Sequence, residues 1–144
     1  MERLSKPPVA LTVLRGDADL AQRLELSSLP NDDTTALIKV VAVLAQRDNL
    51  ERLWHALKDR CEARNRPASE AEVGLLSAAL DWYNHNWRTR PYRLIEAAQH
   101  APYDFERHLR CRLTSSGEMV SQQHLPGIAD GGGKLLCKVL VSTE

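Results

Sequence analysis

This 144-residue sequence is short of net charge and of cysteine, and each shortage argues against a class of protein. Nineteen Lys and Arg residues balance nineteen Asp and Glu residues, so the chain lacks the basic excess that draws proteins to nucleic acid or anionic membranes. Its three cysteines, Cys61, Cys111 and Cys137, are odd in number and far apart. That pattern fits neither a disulfide framework nor a C-x-x-C metal site. We expect three reduced thiols in a cytoplasmic protein.

Long apolar segments are missing too. No apolar run approaches the roughly 20 residues of a membrane-spanning helix, and the first ten residues, MERLSKPPVA, lack the apolar stretch of a signal peptide. We therefore expect no membrane partner. The composition, 43% hydrophobic and 26% charged, is instead that of a globular protein. A chain of this length makes one ordinary domain or two small ones.

The first 90 residues favour helices. Residues 1–31 form an N-terminal segment in which 9–14 (VALTVL) is a candidate strand or buried extended stretch and 17–26 is a short helix. Asp32, Asp33 and Thr34 then offer N-cap side chains. Apolar residues recur in steps of three and four from Leu37 to Cys61, which predicts one helix of about eight turns. A stripe of that length needs cover from another helix of this chain or from a second chain.

A second helix follows a turn at Asn65-Arg66-Pro67. Ser69 and Glu72 have the spacing of a capping box, and the helix should end before Pro91. Residues 32–90 are thus predicted to form a helical hairpin and a candidate dimerisation region. The apolar residues predicted to build its core or dimer seam are Leu37, Val41, Leu44, Leu76 and Leu80.

Residues 91–144 favour a small β domain. Leu109, Cys111 and Leu113 alternate with arginines, the period of a half-buried strand. A second short strand starts at Met119-Val120, and the glycines of 130–133 (DGGG) suit a tight turn. Residues 134–141 (KLLCKVLV) are the most apolar candidate strand and need cover on both faces or a partner. The predicted fold class is therefore α+β, with a helical hairpin stem followed by a small all-β domain.

The sequence offers no constellation typical of an enzyme. None of the five histidines has metal-ligand spacing, and no serine lies in a G-x-S-x-G frame. The run GIADGGGK differs from a phosphate loop because Gly127 is one residue too early, Leu135 replaces Ser or Thr, and a strand follows. We therefore expect no catalytic residue, no metal and no cofactor.

One segment is rich in residues that carry binding energy at interfaces. Aromatic residues alternate there with arginines, a composition typical of protein hot spots or of platforms that stack on single-stranded bases. It is equally compatible with a packed junction between stem and β domain. The residues are Trp82, Tyr83, Trp87, Arg88, Arg90, Tyr92, Arg93 and Tyr103.

The β domain resembles the C-terminal head of GrpE-type nucleotide exchange factors. That head opens with Pro-aromatic-Asp-Pro-x-x-His, and PYDFERH at 102–108 stands in its place, with Phe105 where the family has its second proline. Gly117-Glu118-Met119-Val120, Gly127-Ile128 and Gly133-Lys134-Leu135-Leu136 follow in the family's order. Cys137-Lys138-Val139 replaces the family's Arg-Pro-Ala, and the family's long N-terminal helix has no counterpart in residues 1–30.

The resemblance implies a bacterial, homodimeric, non-enzymatic co-chaperone. It would bind a DnaK-class heat-shock ATPase and favour its open, nucleotide-releasing state, which is differential binding to two conformations of the partner. The residues expected to contact that partner are Tyr103, Asp104, His108, Gly127 and Lys134. The alternatives are a protein-interaction adaptor or scaffold without exchange activity and, against the neutral charge, a single-strand nucleic-acid binder. We expect no nucleic-acid partner.

Overall fold

The computed structural model describes residues 6–86, 91–111 and 117–144, and it confirms an α+β fold with helices first and strands after. The five helices are α1 (Lys6–Arg15), α2 (Ala18–Arg23), α3 (Asp33–Leu44), α4 (Arg47–Arg64) and α5 (Glu70–Asn86). The six strands are β1 (Arg93–Ile95), β2 (His108–Arg110), β3 (Val120–Leu125), β4 (Gly127–Ala129), β5 (Leu135–Cys137) and β6 (Val139–Thr143). Over these described ranges, no helix has the length and apolar character needed to cross a membrane.

The chain divides into two compact units. The helical unit comprises Met1–Ala56 and Ser69–Thr89, and the β unit comprises Leu57–Ala68 and Arg90–Glu144. The boundary therefore falls within α4, whose first half belongs to the helical unit and whose second half belongs to the β unit.

The candidate strand at 9–14 is a helix, α1, so that part of the prediction was wrong. Ala10, Leu11 and Leu14 are buried while Val9 remains 48% exposed, which is helical spacing rather than the alternation of a strand. The six residues VALTVL are compatible with both a helix and a strand, and packing decides between the two. In the structure, α1 lies against both α3 and α5. A helix of this chain thus supplies cover for the apolar stripe of α3.

The predicted eight-turn helix is two helices, α3 and α4. α3 ends at Leu44 with Ala45 as its C-cap. Two amide side chains then donate hydrogen bonds to carbonyl groups in the last turn of α3. Asn49 Nδ2 donates to Val43 O at 2.8 Å, and Gln46 Nε2 donates to Ala42 O at 3.1 Å. Free carbonyls at a helix end need such donors, so these amides stabilise the break that the apolar pattern did not predict.

The predicted helix ends are confirmed elsewhere. Asp32 Oδ2 accepts from Thr35 Oγ1 at 2.6 Å and from Thr35 N at 2.9 Å and so caps α3. The hydroxyl bond first, and then the backbone bond, lower the pKa of Asp32. In the capping box of α5, Ser69 N donates to Glu72 Oε1 at 2.8 Å and Glu72 N donates to Ser69 Oγ at 3.2 Å. Asn65 follows α4 with a φ of 49°, the left-handed conformation that commonly ends helices.

The β unit contains two three-stranded sheets, ordered β1-β4-β5 and β2-β6-β3. All neighbours are antiparallel except β2 and β6, which run parallel with His108 opposite Val139. The predicted continuous strand at 134–141 is broken at Lys138, so β5 and β6 belong to different sheets. β6 is the central strand of its sheet, which explains its apolar character. The core residues are Ile95, Val120, Ala129, Val139 and Val141.

The other predicted β features are largely found. The alternating segment at 109–113 contributes β2, although residues 112–113 lie outside the described ranges. The second short strand is β3, beginning at Val120. The turn at 130–133 is confirmed: Gly133 N donates to Asp130 O at 3.0 Å, and Gly133 has a φ of 89°.

Candidate protein-binding loop

The segment 102–108 precedes β2 and is shaped by its own hydrogen bonds. His108 N and Arg107 N both donate to Asp104 O, at 2.7 and 3.0 Å. The Asp104 carboxylate accepts from Glu106 N at 3.0 Å, a local bond that Asp side chains favour in turns. We call this segment the 102–108 loop. Its backbone conformation is therefore defined by contacts within seven residues.

Further contacts attach the loop to the sheets of the β unit, including a bond from Val139 N to Arg107 O at 3.0 Å. Tyr103 N donates to Glu118 O at 2.7 Å, and Pro102 forms an isolated bridge with Met119. On the other side, Lys138 Nζ donates to Phe105 O at 2.7 Å. Lys138 is the residue that separates β5 from β6, so the break in the predicted strand also supplies a donor to this loop.

Tyr103 is half-buried and is covered by an arginine. The guanidinium carbon of Arg110 lies 4.2 Å from the centre of the Tyr103 ring, a favourable cation–π distance. Arg110 is itself held in place, because its Nε donates to Thr143 Oγ1 at 3.1 Å and its Nη2 donates to Gly117 O at 2.8 Å. The Tyr103 hydroxyl donates to His108 O at 3.3 Å.

His108 has a buried ring that accepts a hydrogen bond from the backbone of the 102–108 loop. Its side chain is only 7% exposed, and its Nδ1 accepts from Asp104 N at 3.1 Å. An accepting Nδ1 carries no proton, so the neutral ring has its hydrogen on Nε2. Burial lowers the pKa of His108, the Asp104 carboxylate acts in the opposite direction, and Arg107 lowers it further.

The loop presents Phe105, the one phenylalanine of the chain, to solvent. Phe105 is 70% exposed, and Met119, next to the loop in the bridge with Pro102, is 40% exposed. Phe105 and Met119 are thus two large apolar side chains that a partner could cover. The sequence signal for Phe105 was its rarity and its place between Asp104 and Glu106, but the resemblance drew attention to its neighbours instead.

The structure brings three of the five predicted partner-binding residues together. Tyr103, Asp104 and His108 belong to the loop. Gly127 is buried at the start of β4, where a Cβ would lie 2.7 Å from Cys137 O. Lys134 is exposed in the turn between β4 and β5, and its N–H donates to Asp130 Oδ1 at 3.0 Å. Gly127 thus belongs to the β1-β4-β5 sheet and Lys134 to a turn of that sheet, whereas β2 belongs to the other sheet.

The predicted dimer residues fall into two groups. Leu44, Leu76 and Leu80 are 0, 0 and 3% exposed, so other residues of the same chain cover them. Leu37 and Val41 are half-buried on α3, beside Ile38, which is 65% exposed. Of the five predicted residues, Leu37 and Val41 are therefore the two that a second chain can reach.

The aromatic and arginine segment is divided between the two units, and part of it is not described. Trp87, Arg88 and Arg90 lie outside the described residues. Trp82 and Tyr83 are half-buried on α5 in the helical unit, whereas Tyr92, Arg93 and Tyr103 belong to the β unit.

His124 is a buried histidine in β3 that sequence reasoning had passed over. It is 5% exposed and lies in the shift of register between Gln123 and Leu125, where an extra residue re-aims a side chain. Its carbonyl accepts from Ala68 N at 2.8 Å. Its ring bonds to the backbone of Arg66, while Nδ1 has no hydrogen-bond partner among the described residues. Burial lowers the pKa of His124.

The cysteines and acidic residues form no further described site. All three cysteines are buried, and none forms a disulfide bond. Over the residues that the structure describes, no group of three His, Cys, Asp or Glu side chains has the geometry to hold a metal ion. Comparisons with protein-family models, with curated proteins and with solved structures found no match to this chain.

Proposed function

We propose that this chain is a non-enzymatic, cytoplasmic protein-binding module whose 102–108 loop contacts the partner. The observation that carries the proposal is Phe105, 70% exposed on a loop that its own hydrogen bonds hold in shape. Ordering a side chain on binding costs free energy. A loop that is already ordered in the free protein loses less conformational entropy when it binds. Aromatic anchors of this kind commonly dominate the energetics of interfaces.

The partner we propose is a DnaK-class heat-shock ATPase, whose nucleotide release the chain would promote. What supports this choice is the resemblance of residues 102–108 to the opening of the GrpE head. It is also supported by the arrangement of helices followed by two small sheets. Binding one conformation of the ATPase more tightly than the other is sufficient for the effect, and no group of this chain needs to react.

An adaptor without exchange activity is the second candidate, and a specific observation favours it. Phe105 occupies the position of a family proline, and Lys138, in the changed Arg-Pro-Ala segment, bonds to the Phe105 carbonyl. The two differences from the family therefore meet in one contact. A loop altered in this way would suit a client other than the ATPase.

The experiment is release of a labelled nucleotide from a DnaK-class ATPase, with and without the full chain. Exchange activity gives a release rate that rises and saturates with added chain. Phe105→Ala should raise the concentration of chain needed for half-saturation at least about tenfold, as expected for an interface anchor. Val9→Ala is the matched control, because Val9 is also an exposed apolar residue but belongs to the helical unit.

Two other results would decide against parts of the proposal. Direct binding to the ATPase that Phe105→Ala weakens, without faster release, supports the adaptor. If no binding is detected with the chain at up to 100-fold molar excess over the ATPase, the proposed partner is refuted.

A further inference from the structure

We infer that His108 is a pH-dependent latch for the 102–108 loop: its protonation frees Asp104 N and releases the segment that presents Phe105. This inference rests on the proposed function, since it concerns the regulation of the same loop. It is carried by the geometry of the His108 ring, which is almost fully buried and whose Nδ1 accepts the Asp104 N–H at 3.1 Å.

Protonation cannot leave this hydrogen bond in place. A proton on Nδ1 turns the acceptor into a donor, so two N–H groups would then face each other. Asp104 N would lose its partner, and the buried ring would gain a charge in an apolar setting, which is costly without a new acceptor. The Asp104 carboxylate favours the charged ring, but its Oδ1 already accepts from Glu106 N at 3.0 Å, so pairing with the new proton competes with that bond.

The surroundings do not offer an easy alternative. From the loop itself, Asp104 favours the charged ring and Arg107 opposes it. The Tyr103 ring lies with its centre 5.9 Å from that of His108, and Arg110 covers Tyr103. From β6, the residue opposite His108 in register is the apolar Val139, preceded by Lys138. Of the charges that act on the His108 ring, Asp104 thus favours protonation and Arg107 opposes it.

Release of the latch acts on the exposed anchor. Two bonds define the position of Asp104 relative to His108, one from Asp104 N to the ring and one from His108 N to Asp104 O. Phe105 follows Asp104 directly. Its own carbonyl accepts from Lys138 Nζ, and the backbone bond from Val139 N to Arg107 O still holds the end of the loop, so the loss of the ring bond acts on Asp104 and Phe105 and not on the whole segment. A loosened Asp104 therefore lets Phe105 sample several positions, and a mobile anchor binds less tightly because binding must order it.

The test is a nitrogen-15 NMR titration of the full chain from pH 8 to pH 4.5, without any partner. The expected result is that the Asp104 amide resonance moves with the same midpoint as the His108 ring nitrogens. The protection factors of amides 104–108 should also fall about fivefold, the effect of losing one hydrogen bond. His108→Asn is the key variant, because Asn Oδ1 can replace Nδ1 as an acceptor and does not titrate. His100→Asn, at an exposed histidine of the same unit, is the control.

Each outcome decides the inference. If the Asp104 amide is unchanged through the His108 transition, or if His108→Asn shows the same acid transition as wild type, the latch is refuted. If the transition is present but no DnaK-class ATPase binds at pH 7.5, the latch stands and the proposed partner falls. If the ATPase binds equally well above and below the transition, the latch does not regulate that site.

Discussion

At Gly127, the backbone of the β5–β6 junction leaves no room for a side chain. A Cβ there would lie 2.7 Å from Cys137 O and 2.9 Å from both Lys138 C and Val139 N. These are backbone atoms, so relief requires the strands themselves to move. A role for this glycine in close packing follows from the structure, whereas its predicted contact with a partner stays a prediction.

Gly127→Ala should therefore destabilise the protein by about 2–3 kcal/mol, the cost of overpacking a site that cannot relax. Gly74→Ala is the matched substitution, because Gly74 lies in α5 with no atom within 4 Å of its Cβ position. It should stabilise the protein by about 0.5–1 kcal/mol, since alanine is the better helix former. Urea unfolding of both variants measures the two changes, and similar values of one sign would contradict this account.

His124 gives the stability of the protein a predictable pH dependence. Its pKa is lowered by burial in the native state. Between the native and the unfolded pKa, the ring is therefore protonated in the unfolded chain and neutral in the native protein. Stability then falls as pH drops below the ordinary histidine pKa of about 6.5, and the loss levels off below the native pKa. His108 contributes in the same direction.

The substitution His124→Gln should reduce this loss. The free energy of unfolding is measured at pH 7.5 and pH 5.5, and the difference between the two values should be smaller in the variant than in wild type. His85→Gln, at an exposed histidine, should leave the difference unchanged. An identical difference in wild type and His124→Gln would show that the buried ring does not titrate in this range.

At the scale of elements, the capping box of α5 was predicted from the spacing of Ser69 and Glu72, and the structure contains both of its hydrogen bonds. Ser69→Ala removes the oxygen that accepts from Glu72 N at 3.2 Å, and the expected loss is about 1 kcal/mol. Ser77→Ala, in the middle of α5, should be neutral or slightly stabilising because alanine has the higher helix propensity. Thermal unfolding of both variants gives the comparison, and equal midpoints would argue against the cap.

Elements were predictable where one local interaction dominates. Asp32 and Ser69 cap helices through atoms three residues away, and Asp130 closes its turn within four residues. Where two patterns compete, distant packing decides. The segment 9–14 became a helix because α3 and α5 lie beside it, and the α3–α4 break depends on the amides of Asn49 and Gln46.

The candidate site divides in the same way. Tyr103, Asp104 and His108 lie within six residues of one another, so their proximity in the structure follows from the chain itself. Arg110 over the Tyr103 ring, the Lys138 bond to Phe105 and the burial of Gly127 all depend on which strands pair. Lys138 and Phe105 are 33 residues apart, as are Arg110 and the Thr143 that holds it. Strand pairing at such separations has no local signature, and the close approach at Gly127 depends on the junction of β5 and β6, so these contacts could not be predicted from the sequence.

At the scale of the whole molecule, the open question with the clearest structural test is self-association. Leu44 is fully buried in the chain, so Leu44→Glu would place a charge in the core and unfold the helical unit instead of separating two subunits. We propose that any homodimer uses the accessible side of α3, where Leu37 and Val41 are half-buried and Ile38 is 65% exposed.

Sedimentation equilibrium at micromolar concentration should then give twice the 16.2 kDa mass of one chain. Ile38→Glu should raise the dimer dissociation constant at least about tenfold, because burying an unpaired carboxylate in an interface opposes association. Its effect on unfolding of the monomer should stay within about 0.5 kcal/mol, as for other exposed positions. Lys39→Glu adds a carboxylate at the adjacent exposed residue and is the control for charge alone. A wild-type mass of one chain would remove the dimer, and equal effects of the two variants would place the seam elsewhere.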